Sequence, residues 1–484
     1  MREFLSTLLA LHWHSLLGWV WLATGIYLAG RIVWQRRSPA ATLAWIMALC
    51  LIPPVGLVLY HFVGPQRVKR QKLRRMKSQA LLAASNDLEA LYARDASPPA
   101  WAMQHSALIE HCCGIPLSSC ERVDLLDGGA ATLDAIVEAV SRSESHIHLE
   151  YYIFEPDHAG LKLASALCHK ARQGVNVRLL VDGVGSANLL LRQGLALRRM
   201  LADAGVEFGV FHPTRLYGLL PLVNLRTHRK LVICDGRVGF TGGINVTDEE
   251  DDRLFPNSAY RDTHVRLEGA AVRWLQYTFL QDWIYATGRH EFAPHIVPLH
   301  APGPHAVHVA TSGPDSEGQA IHHSMVHAIS IAQHRILLTT PYFVPTEPAW
   351  FALINAARRG VEVRIMVPRH SDSHLVTAAA RSYYPSLLEA GVHIFEYQGR
   401  MLHAKTLVVD RGYAMVGSAN FDNRSLLLNF EIALALYSES LNGQLARMFT
   451  RDLARCRPIS GEEAAEPWFR QLPVAVARLL SPLL

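Results

Sequence analysis

"LRTHRKLVICDGRVGFTGGIN", residues 225–245, is the stretch that decides the fold, because its pattern returns as "RMLHAKTLVVDRGYAMVGSAN" at residues 400–420. Both copies fit H-x-K-x4-D-x6-G-[GS]-x-N. One H-x-K alone carries little information, whereas two complete copies argue against a pair of incidental surface hairpins. We expect a strand and a hairpin in each copy. Its histidine and lysine should share one face, because side chains at positions i and i+2 of a strand point the same way.

The sequence around the two copies is also duplicated, in the same order and at similar spacing. "SHIHLEYYIF" ends at Phe154 and "HRILLTTPYF" ends at Phe343, and similar helix–glycine–strand patterns surround Gly174 and Gly360. The offset between corresponding positions drifts only from 189 to 175 residues. This internal repeat predicts two structural units that are built alike.

Each repeat reads as strand, amphipathic helix, glycine, strand, helix, glycine, strand and hairpin. Apolar runs of strand length that alternate with helices are typical of an α/β fold with a largely parallel or mixed sheet. We therefore predict two α/β sandwich halves that pack together as a pseudo-dimer. Two independent domains with separate sites also fit the pattern, although the chemistry of the paired motifs favours one shared site.

The two motifs supply the candidate catalytic residues His228, Lys230, His403 and Lys405, and Asp235 and Asp410 begin the turn that follows each strand. The small residues and amides after each turn are candidate substrate-binding residues, namely Gly243, Asn245, Ser418 and Asn420. Lysines can neutralise phosphate oxygens, and amide or backbone N–H groups can donate to the same oxygens. The set therefore indicates phosphate chemistry. Because each of the two aspartates begins a turn, we interpret their role as mainly structural.

Two further acids are candidates for orienting the histidines. Asp262 and Glu431 each begin an apolar strand, 34 and 28 residues after His228 and His403. A carboxylate that accepts from one imidazole nitrogen fixes the tautomer and leaves the other nitrogen free. We predict that Asp262 orients His228 and that Glu431 orients His403. The alternative is that both are strand-end acids that face solvent.

Two histidines permit a double displacement at phosphorus. One neutral imidazole attacks the phosphorus while the other, protonated, donates to the leaving alkoxide, and a phosphohistidine forms. The acid then acts as a base and activates the acceptor, which is water or an alcohol. This scheme needs one histidine from each half, and it needs no cofactor and no metal. The acidic run "DEEDD" at residues 248–252 has enough charge for a divalent ion, but we interpret it as a polar loop near the mouth of the site.

The N-terminal region predicts a membrane anchor. Residues 4–30 and 38–66 contain no Asp, Glu, Lys or Arg, and each run is long enough to cross the roughly 30 Å hydrocarbon layer as a helix. A cleaved signal peptide or a buried hairpin is the alternative. Pro53 and Pro54 also allow a re-entrant second segment instead of a full span.

A basic stretch, "RVKRQKLRRMK" at residues 67–77, follows the second run. Together with the arginines between the runs, it places the large C-terminal part in the cytoplasm by the positive-inside rule. It would also attract anionic head groups, at roughly 1 kcal/mol per residue near the surface. A solvated helix or a nucleic-acid-binding tail is the competing interpretation. We predict four regions: an anchor with two transmembrane segments at 1–65, a basic linker at 66–115, and the two repeats at 116–300 and 301–484.

Bulk composition agrees with a membrane-associated enzyme of several domains. The chain has 484 residues, of which 50% are hydrophobic, and a formal net charge of +5. The basic stretch alone exceeds that charge, so the net charge adds little to the assignment of function. The seven cysteines show no metal-ligand or disulfide spacing, and we interpret them as free thiols in a reducing compartment.

The double H-x-K-x4-D pattern resembles the phospholipase D superfamily over roughly residues 115–484. Within it, the whole chain is similar to the bacterial cardiolipin synthase family, on stretches such as "TLAWIMALCLIPPVGLVLYHFVG", "RDTHVRLEG", "PYFVPTE" and "GSANFDNRS". The resemblance implies two phospholipase D-like halves, catalytic roles for the histidine, lysine and aspartate of each motif, and His228 as the phosphorylated residue.

The resemblance also implies the reaction and the location of the enzyme. Two phosphatidylglycerol molecules would give cardiolipin and glycerol, at the anionic surface of a bacterial inner membrane. The chain would be a multi-pass protein with its catalytic part on the cytoplasmic side, and its oligomeric state stays open. Hydrolysis by a membrane-bound phospholipase D and transfer to serine or ethanolamine are the nearest alternatives. A nuclease and a scaffold with a dead site are more distant ones.

Overall fold

A computed structural model describes the chain continuously over residues 95–213, 225–292, 296–298, 300–316 and 318–461. Shorter helical pieces are described outside these ranges, at residues 19, 23–34, 42–43, 45–47, 49, 73, 75–82, 474–475, 477–479 and 481. The chain divides into two compact units, Met1–Arg70 with Gly218–Pro221 and Gln71–Tyr217 with Leu222–Leu484. The β-sheets and the candidate site lie in the second unit.

The first unit contains the predicted membrane anchor, of which helical residues 23–34 are the longest described piece. Ile32 and Leu49 are buried together there. Among the described residues, no helix has both the length and the apolar composition that crossing a bilayer requires. Most of the two predicted spans, residues 4–30 and 38–66, lies outside the described residues.

The second unit consists of alternating strands and helices, as the repeat pattern predicts. Its strands are β1 (Ser118–Cys120), β2 (Arg122–Asp127), β3 (His146–Tyr151), β4 (Asn176–Asp182), β5 (Glu207–Phe211), β6 (Leu231–Cys234), β7 (Val238–Gly242), β8 (Thr263–Glu268), β9 (His305–Ser312), β10 (Arg335–Thr339), β11 (Phe343–Val344), β12 (Glu362–Pro368), β13 (His393–Tyr397), β14 (Thr406–Val409), β15 (Tyr413–Gly417), β16 (Phe421–Asp422), β17 (Glu431–Tyr437) and β18 (Cys456–Pro458). Its α-helices are α1 (Met103–Cys113), α2 (Gly129–Arg142), α3 (His158–Arg172), α4 (Ala187–Leu190), α5 (Leu195–Asp203), α6 (Val272–Thr287), α7 (Ala320–Ile331), α8 (Glu347–Arg358), α9 (His374–Arg381), α10 (Tyr384–Glu389), α11 (Asn423–Leu427) and α12 (Glu439–Leu453).

The two sheets have the same topology. The first has the strand order β2-β8-β7-β6-β3-β4-β5, and the second has β1-β9-β17-β15-β14-β10-β12-β13-β18. Without its outer strands β1 and β18, the second sheet matches the first position by position. In both sheets the neighbours β3-β4-β5 and β10-β12-β13 are parallel and the hairpins are antiparallel. The predicted mixed α/β fold with two similar halves is confirmed.

The helix–glycine–strand units of the repeat have a local physical cause. Gly174 follows α3 with a φ of +92°, and Gly360 follows α8 with a φ of +88°. This left-handed conformation ends a helix at little steric cost only when the residue is glycine. Each glycine thereby turns the chain from a helix into a buried parallel strand, which is β4 in the first half and β12 in the second.

The two halves pack against each other through their sheets. β7 and β8 of the first half lie against β15 and β17 of the second, and one buried cluster includes Leu231 and Val265 together with Val416 and Ile432. The long helix α6 covers this cluster with two fully buried tryptophans. A buried aromatic side chain removes roughly 150–250 Å² from water, which at about 25 cal/mol per Å² stabilises the fold by about 4–6 kcal/mol each. The halves therefore form the predicted pseudo-dimer.

Some elements near the ends of the repeats join the opposite half. β1, which precedes the first sheet in sequence, pairs antiparallel with β9 of the second sheet. Helix α1 packs against α7 of the second half. The boundaries at residues 65, 115 and 300 stay predictions. The first unit extends to Arg70, and the second unit continues across residues 115 and 300.

Candidate active site

The segments that carry the two histidines exchange backbone hydrogen bonds between the halves. The N–H of His228 donates to the carbonyl oxygen of Phe430 at 2.9 Å, and the N–H of Phe430 donates to that of Arg226 at 2.9 Å. The equivalent bonds with the halves exchanged link His403, Arg261 and Met401, at 2.8 Å each. Each histidine segment therefore lies beside the start of β8 or β17 of the opposite half. The expected strand begins only after the lysine, at β6 and β14, because the histidine N–H pairs outside its own sheet.

This exchange determines which carboxylate meets which imidazole. Nδ1 of His228 lies 3.1 Å from a carboxylate oxygen of Glu431, and Nδ1 of His403 lies 2.7 Å from Oδ2 of Asp262. The predicted assignment of Asp262 to His228 and of Glu431 to His403 is wrong. The acids do orient histidines, but they do so across the halves, because the residue before each acid is hydrogen-bonded to the opposite histidine segment.

The crossed pairs leave one nitrogen of each imidazole for chemistry. Both carboxylates are fully buried, and each histidine is 8% exposed. A carboxylate at Nδ1 favours the tautomer or the imidazolium that carries a proton on Nδ1, so Nε2 remains available. A tyrosine ring stands beside each imidazole, with centroid separations of 5.0 Å for Tyr152 and His228 and 5.6 Å for Tyr260 and His403.

Charge and burial hold the two acids ionised and the two imidazoles neutral. Burial opposes the ionisation of Asp262, but the charge of Lys405 and then the interaction with His403, which includes a hydrogen bond, outweigh it and lower its pKa to about 2. Burial likewise opposes ionisation of Glu431, whose pKa is nevertheless lowered through His228. Burial lowers the pKa of both histidines, that of His403 to about 4, with Lys405 adding to the effect. An unprotonated imidazole is therefore available as a nucleophile at neutral pH.

The two lysines link the motifs electrostatically. Nζ of Lys230 donates to the carbonyl oxygen of His228 at 2.7 Å, and Nζ of Lys405 donates to Asp262 at 3.4 Å and to the carbonyl oxygen of His403. The charge of Lys405 lowers the pKa of His228, and that of Lys230 lowers the pKa of His403. Burial, and then repulsion by Lys405, lowers the pKa of Lys230 to about 7. The structure thus brings both histidines and both lysines into one buried cluster.

The two predicted amides also lie at the cluster. Asn245 and Asn420 are 6% and 4% exposed. Oδ1 of Asn245 accepts only a long hydrogen bond of 3.4 Å, from the N–H of Ile153, and Oδ1 of Asn420 has no partner among the described residues. Buried amide oxygens without complete hydrogen bonding are rare. They are acceptors, however, so the predicted donation of these amides to a phosphate stays a prediction.

Gly243 and Ser418 lie against the two histidine-orienting carboxylates. A Cβ atom at Gly243 would lie 2.1–2.5 Å from the carboxylate atoms of Asp262, so only glycine leaves room for that acid. Ser418 is fully buried, and its hydroxyl donates to Glu431 and accepts from the N–H of Ile432 at 3.0 Å. The substrate-binding role of these two positions stays a prediction, and the contacts that the structure shows for them are with the histidine-orienting acids.

The motif aspartates lie outside the cluster, at the opposite ends of β6 and β14 from the histidines. The carboxylate of Asp235 accepts from the N–H groups of residues 144–146 at 2.8–2.9 Å. That of Asp410 accepts from residues 333–335 at 2.7–3.0 Å. These contacts hold the loops before β3 and β10. They contradict a direct part in the chemistry and support the structural alternative.

Glu250 is a residue of the cluster that the sequence reasoning missed. It belongs to the acidic run at residues 248–252, yet it is only 2% exposed, so the prediction of a polar loop is wrong for this side chain. Oε1 lies 3.6 Å from Nδ1 of His403 and accepts from the N–H of Asn245 at 3.3 Å. Burial and the charge of Asp262 raise its pKa to about 8. The second repeat has Ser425 at the same distance from its histidine. The signal in the sequence was therefore an acid in the first repeat that has no counterpart in the second.

Glu250, Asp262 and His403 approach the arrangement of a metal site, since one ligand atom of each lies within 4.8 Å of the others. The donor set fits an ion poorly, however. The ammonium group of Lys405 already lies 3.4 Å from the Asp262 oxygen that faces His403. A divalent ion would have to displace a buried cation and remove the proton from Glu250. We therefore interpret the three side chains as a proton-sharing group.

A buried ion cluster lies next to the segment that carries His228. Arg229, between His228 and Lys230, is 2% exposed and donates to Asp282. Arg75, from the basic stretch, binds the same carboxylate and lies 3.8 Å from Asp315. The expectation that the whole basic stretch contacts lipid is therefore wrong for Arg75, because its guanidinium is buried in the fold.

Comparisons with known proteins agree with this architecture. Residues 136–283 and 325–453 match the family model described as cardiolipin synthase, phospholipase D-like domain, and residues 19–65 match the phospholipase D-nuclease N-terminal family. The cardiolipin synthase of Geobacillus sp. (strain WCH70) is 38% identical over 480 residues, which are 95% of this chain and 92% of that protein. Cardiolipin synthase 1 of Bacillus anthracis is 35% identical over 488 residues, with coverages of 97% and 94%.

A solved structure shares the fold at much lower sequence similarity. The phosphatidylserine synthase of Haemophilus influenzae Rd KW20 is 14% identical and superposes with a TM-score of 0.56. The match covers 79% of this chain and 100% of that one. At this identity the likeness concerns the fold alone.

Proposed function

The chain belongs to the cardiolipin synthase family of phospholipase D-like proteins, and we propose that it transfers a phosphatidyl group between two phosphatidylglycerol molecules through a phosphohistidine. Cardiolipin and glycerol are the products. The observation that carries the proposal is the crossed pair of carboxylate–imidazole contacts, at 3.1 and 2.7 Å. They occupy Nδ1 of each histidine and leave its Nε2 without a hydrogen-bond partner among the described residues.

The first displacement uses His228 as the nucleophile and His403 as the acid. Nε2 of His228 attacks the phosphorus of the donor, the bond to the glycerol oxygen breaks, and His403 gives its Nε2 proton to that oxygen. Glu250 lies beside His403 at 3.6 Å, so His403 has two carboxyl groups near Nδ1. We assign the proton-exchanging role to His403 because a second carboxyl group helps to stabilise its protonated form. The charge of the bound phosphodiester favours the protonated form of His403, while Asp262 stabilises the imidazolium.

The second displacement reverses these roles. The hydroxyl group of the acceptor lipid gives its proton to neutral His403 and attacks the phosphorus, and the bond to His228 breaks. Lys230 and Lys405 neutralise the non-bridging oxygens, and the amides of Asn245 and Asn420 donate to them. Asp235 and Asp410 keep only an indirect part, through the loops that they hold.

The N-terminal region completes the proposal. We infer that residues 1–65 anchor the enzyme with two transmembrane segments, that residues 66–115 link it to the repeats at 116–300 and 301–484, and that the catalytic part faces the cytoplasm. The uncharged runs and the basic stretch support this arrangement, as does the N-terminal family match. Anchoring raises the effective concentration of a lipid-borne phosphate at the site.

An assay with phosphatidylglycerol labelled in its glycerol head group tests the function. We expect labelled glycerol to be released in step with cardiolipin, and His228→Ala and His403→Ala each to abolish turnover. Phosphatidic acid as the main product would identify a hydrolase instead. Near-normal turnover in either histidine variant would contradict the two-histidine scheme.

A further inference from the structure

A polar cavity of about 290 Å³ lies beside the cluster, on the His403 side. Four arginines line it: Arg261, Arg400, Arg451 and Arg455. Tyr260 also lines it, and the ring of Tyr260 lies 5.6 Å from that of His403. Arg261 precedes Asp262 in the chain and its carbonyl oxygen accepts from the N–H of His403 at 2.8 Å, so the cavity shares a wall with the active site.

Two of the arginines are neutralised by aspartates. Arg261 pairs with Asp127 at 3.1 Å and with Asp452 at 2.8 Å. Arg451 pairs with the same two carboxylates. These ion pairs hold the wall of the cavity in one geometry, because each aspartate bridges two guanidinium groups.

The other two arginines carry uncompensated charge into the cavity. Among the described residues, neither Arg400 nor Arg455 has a carboxylate within ion-pair distance, and Nε of Arg400 makes only a long hydrogen bond of 3.4 Å to the hydroxyl of Tyr397. Asp252 is the third acid of the lining. Four arginines against three aspartates leave one net positive charge, which matches the single negative charge of a phosphodiester.

We propose that this cavity binds the phosphodiester of the acceptor lipid. The inference rests on the proposed function. There, the attacking hydroxyl belongs to a glycerol that is esterified to the acceptor's own phosphate, so this second phosphate must lie within the length of one glycerol from the reacting phosphorus. Guanidinium groups bind phosphate oxygens in a bidentate manner. The cavity adjoins His403, the residue that takes the proton from that hydroxyl.

The halves differ in the arginine that each histidine segment offers. Arg400 stands three residues before His403, and the corresponding residue before His228 is Leu225. The His228 segment has Arg226 instead, whose guanidinium is paired with Asp182 at 3.5 Å, whereas Arg400 has no carboxylate at ion-pair distance among the described residues. The two halves are thus alike at the histidines and differ in the arginine that is available to a second phosphate. Water carries no phosphate and gains nothing from the arginines, so the cavity would favour transfer to a lipid over hydrolysis.

The test compares two reactions of one full-length enzyme in mixed micelles. Exchange of labelled glycerol into phosphatidylglycerol uses both histidines but an acceptor without a phosphate, whereas cardiolipin formation uses an acceptor with one. For Arg400→Ala/Arg455→Ala, we expect the ratio of cardiolipin formation to glycerol exchange to fall about 10–100-fold, as expected for the loss of charge-assisted hydrogen bonds. Arg455→Gln, at an exposed position, should lower the same ratio with little risk to folding.

Arg447→Ala is the matched control, since Arg447 is exposed on helix α12, which ends two residues before Arg455, and does not line the cavity. Its ratio should equal that of the wild type. An unchanged ratio in both cavity variants would overturn the proposal while leaving the function intact. A wild-type enzyme that exchanges glycerol but forms no cardiolipin would instead overturn the proposed function, so the two failures are distinguishable.

Discussion

Replacing Asp262 by asparagine should impair the step that depends on His403, although Asp262 belongs to the same half as His228. The reason is the exchange of chain segments, which brings each orienting acid to the histidine of the opposite half. Glu431→Gln should impair the step that depends on His228. An arrangement without the exchange would assign the two effects the other way round.

The structure sets the size of the effect. Oδ2 of Asp262 lies 2.7 Å from Nδ1 of His403, and both side chains are buried. A hydrogen bond to a charged group contributes ~1.5–3 kcal/mol, so its loss should slow the affected step about 10–150-fold. Asparagine can in addition donate to Nδ1 and favour the wrong tautomer, which would increase the loss.

The assay measures release of the leaving group in a single turnover from two donors. Glycerol needs a proton to leave phosphatidylglycerol, whereas p-nitrophenol leaves phosphatidyl-p-nitrophenol as an anion. The histidine that donates the proton is therefore needed mainly for the first donor, and the nucleophilic histidine is needed for both. His228→Ala and His403→Ala define the two patterns, whichever histidine attacks.

We expect Asp262→Asn to follow the donor preference of His403→Ala and Glu431→Gln to follow that of His228→Ala. Asp203→Asn, at an exposed acid at the end of α5, is the control and should behave like the wild type. The reasoning is refuted if Asp262→Asn shows the pattern of His228→Ala.

Three further predictions concern the proton-sharing group and the motif aspartates. Because the pKa of Glu250 is raised from 4.5 to about 8, the stability that its protonated form contributes is fully present below pH 4.5 and is lost as the pH rises to about 8. The loss is at most ~1.4 kcal/mol per pH unit. Glu250→Gln should flatten this dependence, so the slope of the thermal midpoint against pH should be smaller in the variant than in the wild type. Equal slopes in the two proteins would contradict the role given to Glu250. Asp235→Ala removes the acceptor for three backbone N–H groups, so it should lower stability by about 2–4 kcal/mol. The Asp235→Ala variant should retain its turnover per folded molecule. A loss of turnover in variant protein that is fully folded would indicate that Asp235 is catalytic. EDTA treatment of washed enzyme should leave glycerol release unchanged, whereas loss that zinc or magnesium restores would revive the metal interpretation of Glu250, Asp262 and His403.

The sequence was sufficient for the features that repeat locally. The paired motifs predicted both histidines and lysines, and the helix–glycine–strand pattern around Gly174 and Gly360 predicted the sheet type. Periodicity and turn chemistry act within a few residues, so they can be read without the fold. The whole-chain topology of the two halves followed from the duplication of these local signals.

The sequence was not sufficient where a contact depends on how the halves meet. The crossed partners of Asp262 and Glu431 follow from backbone hydrogen bonds between segments some 200 residues apart, such as His228 and Phe430. Linear spacing favoured the partner in the same half. Glu250 was assigned to a polar loop with its acidic neighbours because burial of one acid in a charged run is a tertiary effect.

Trapping the covalent intermediate tests the central claim most directly. The full-length enzyme would be quenched in acid-free denaturant during turnover of labelled phosphatidylglycerol, and the modified histidines would be mapped and counted by mass spectrometry. The account predicts at most one phosphatidyl group per chain, on His228, because both histidines serve a single phosphorus. Two groups per chain, one on His228 and one on His403, would mean that each half carries its own site and would contradict the account.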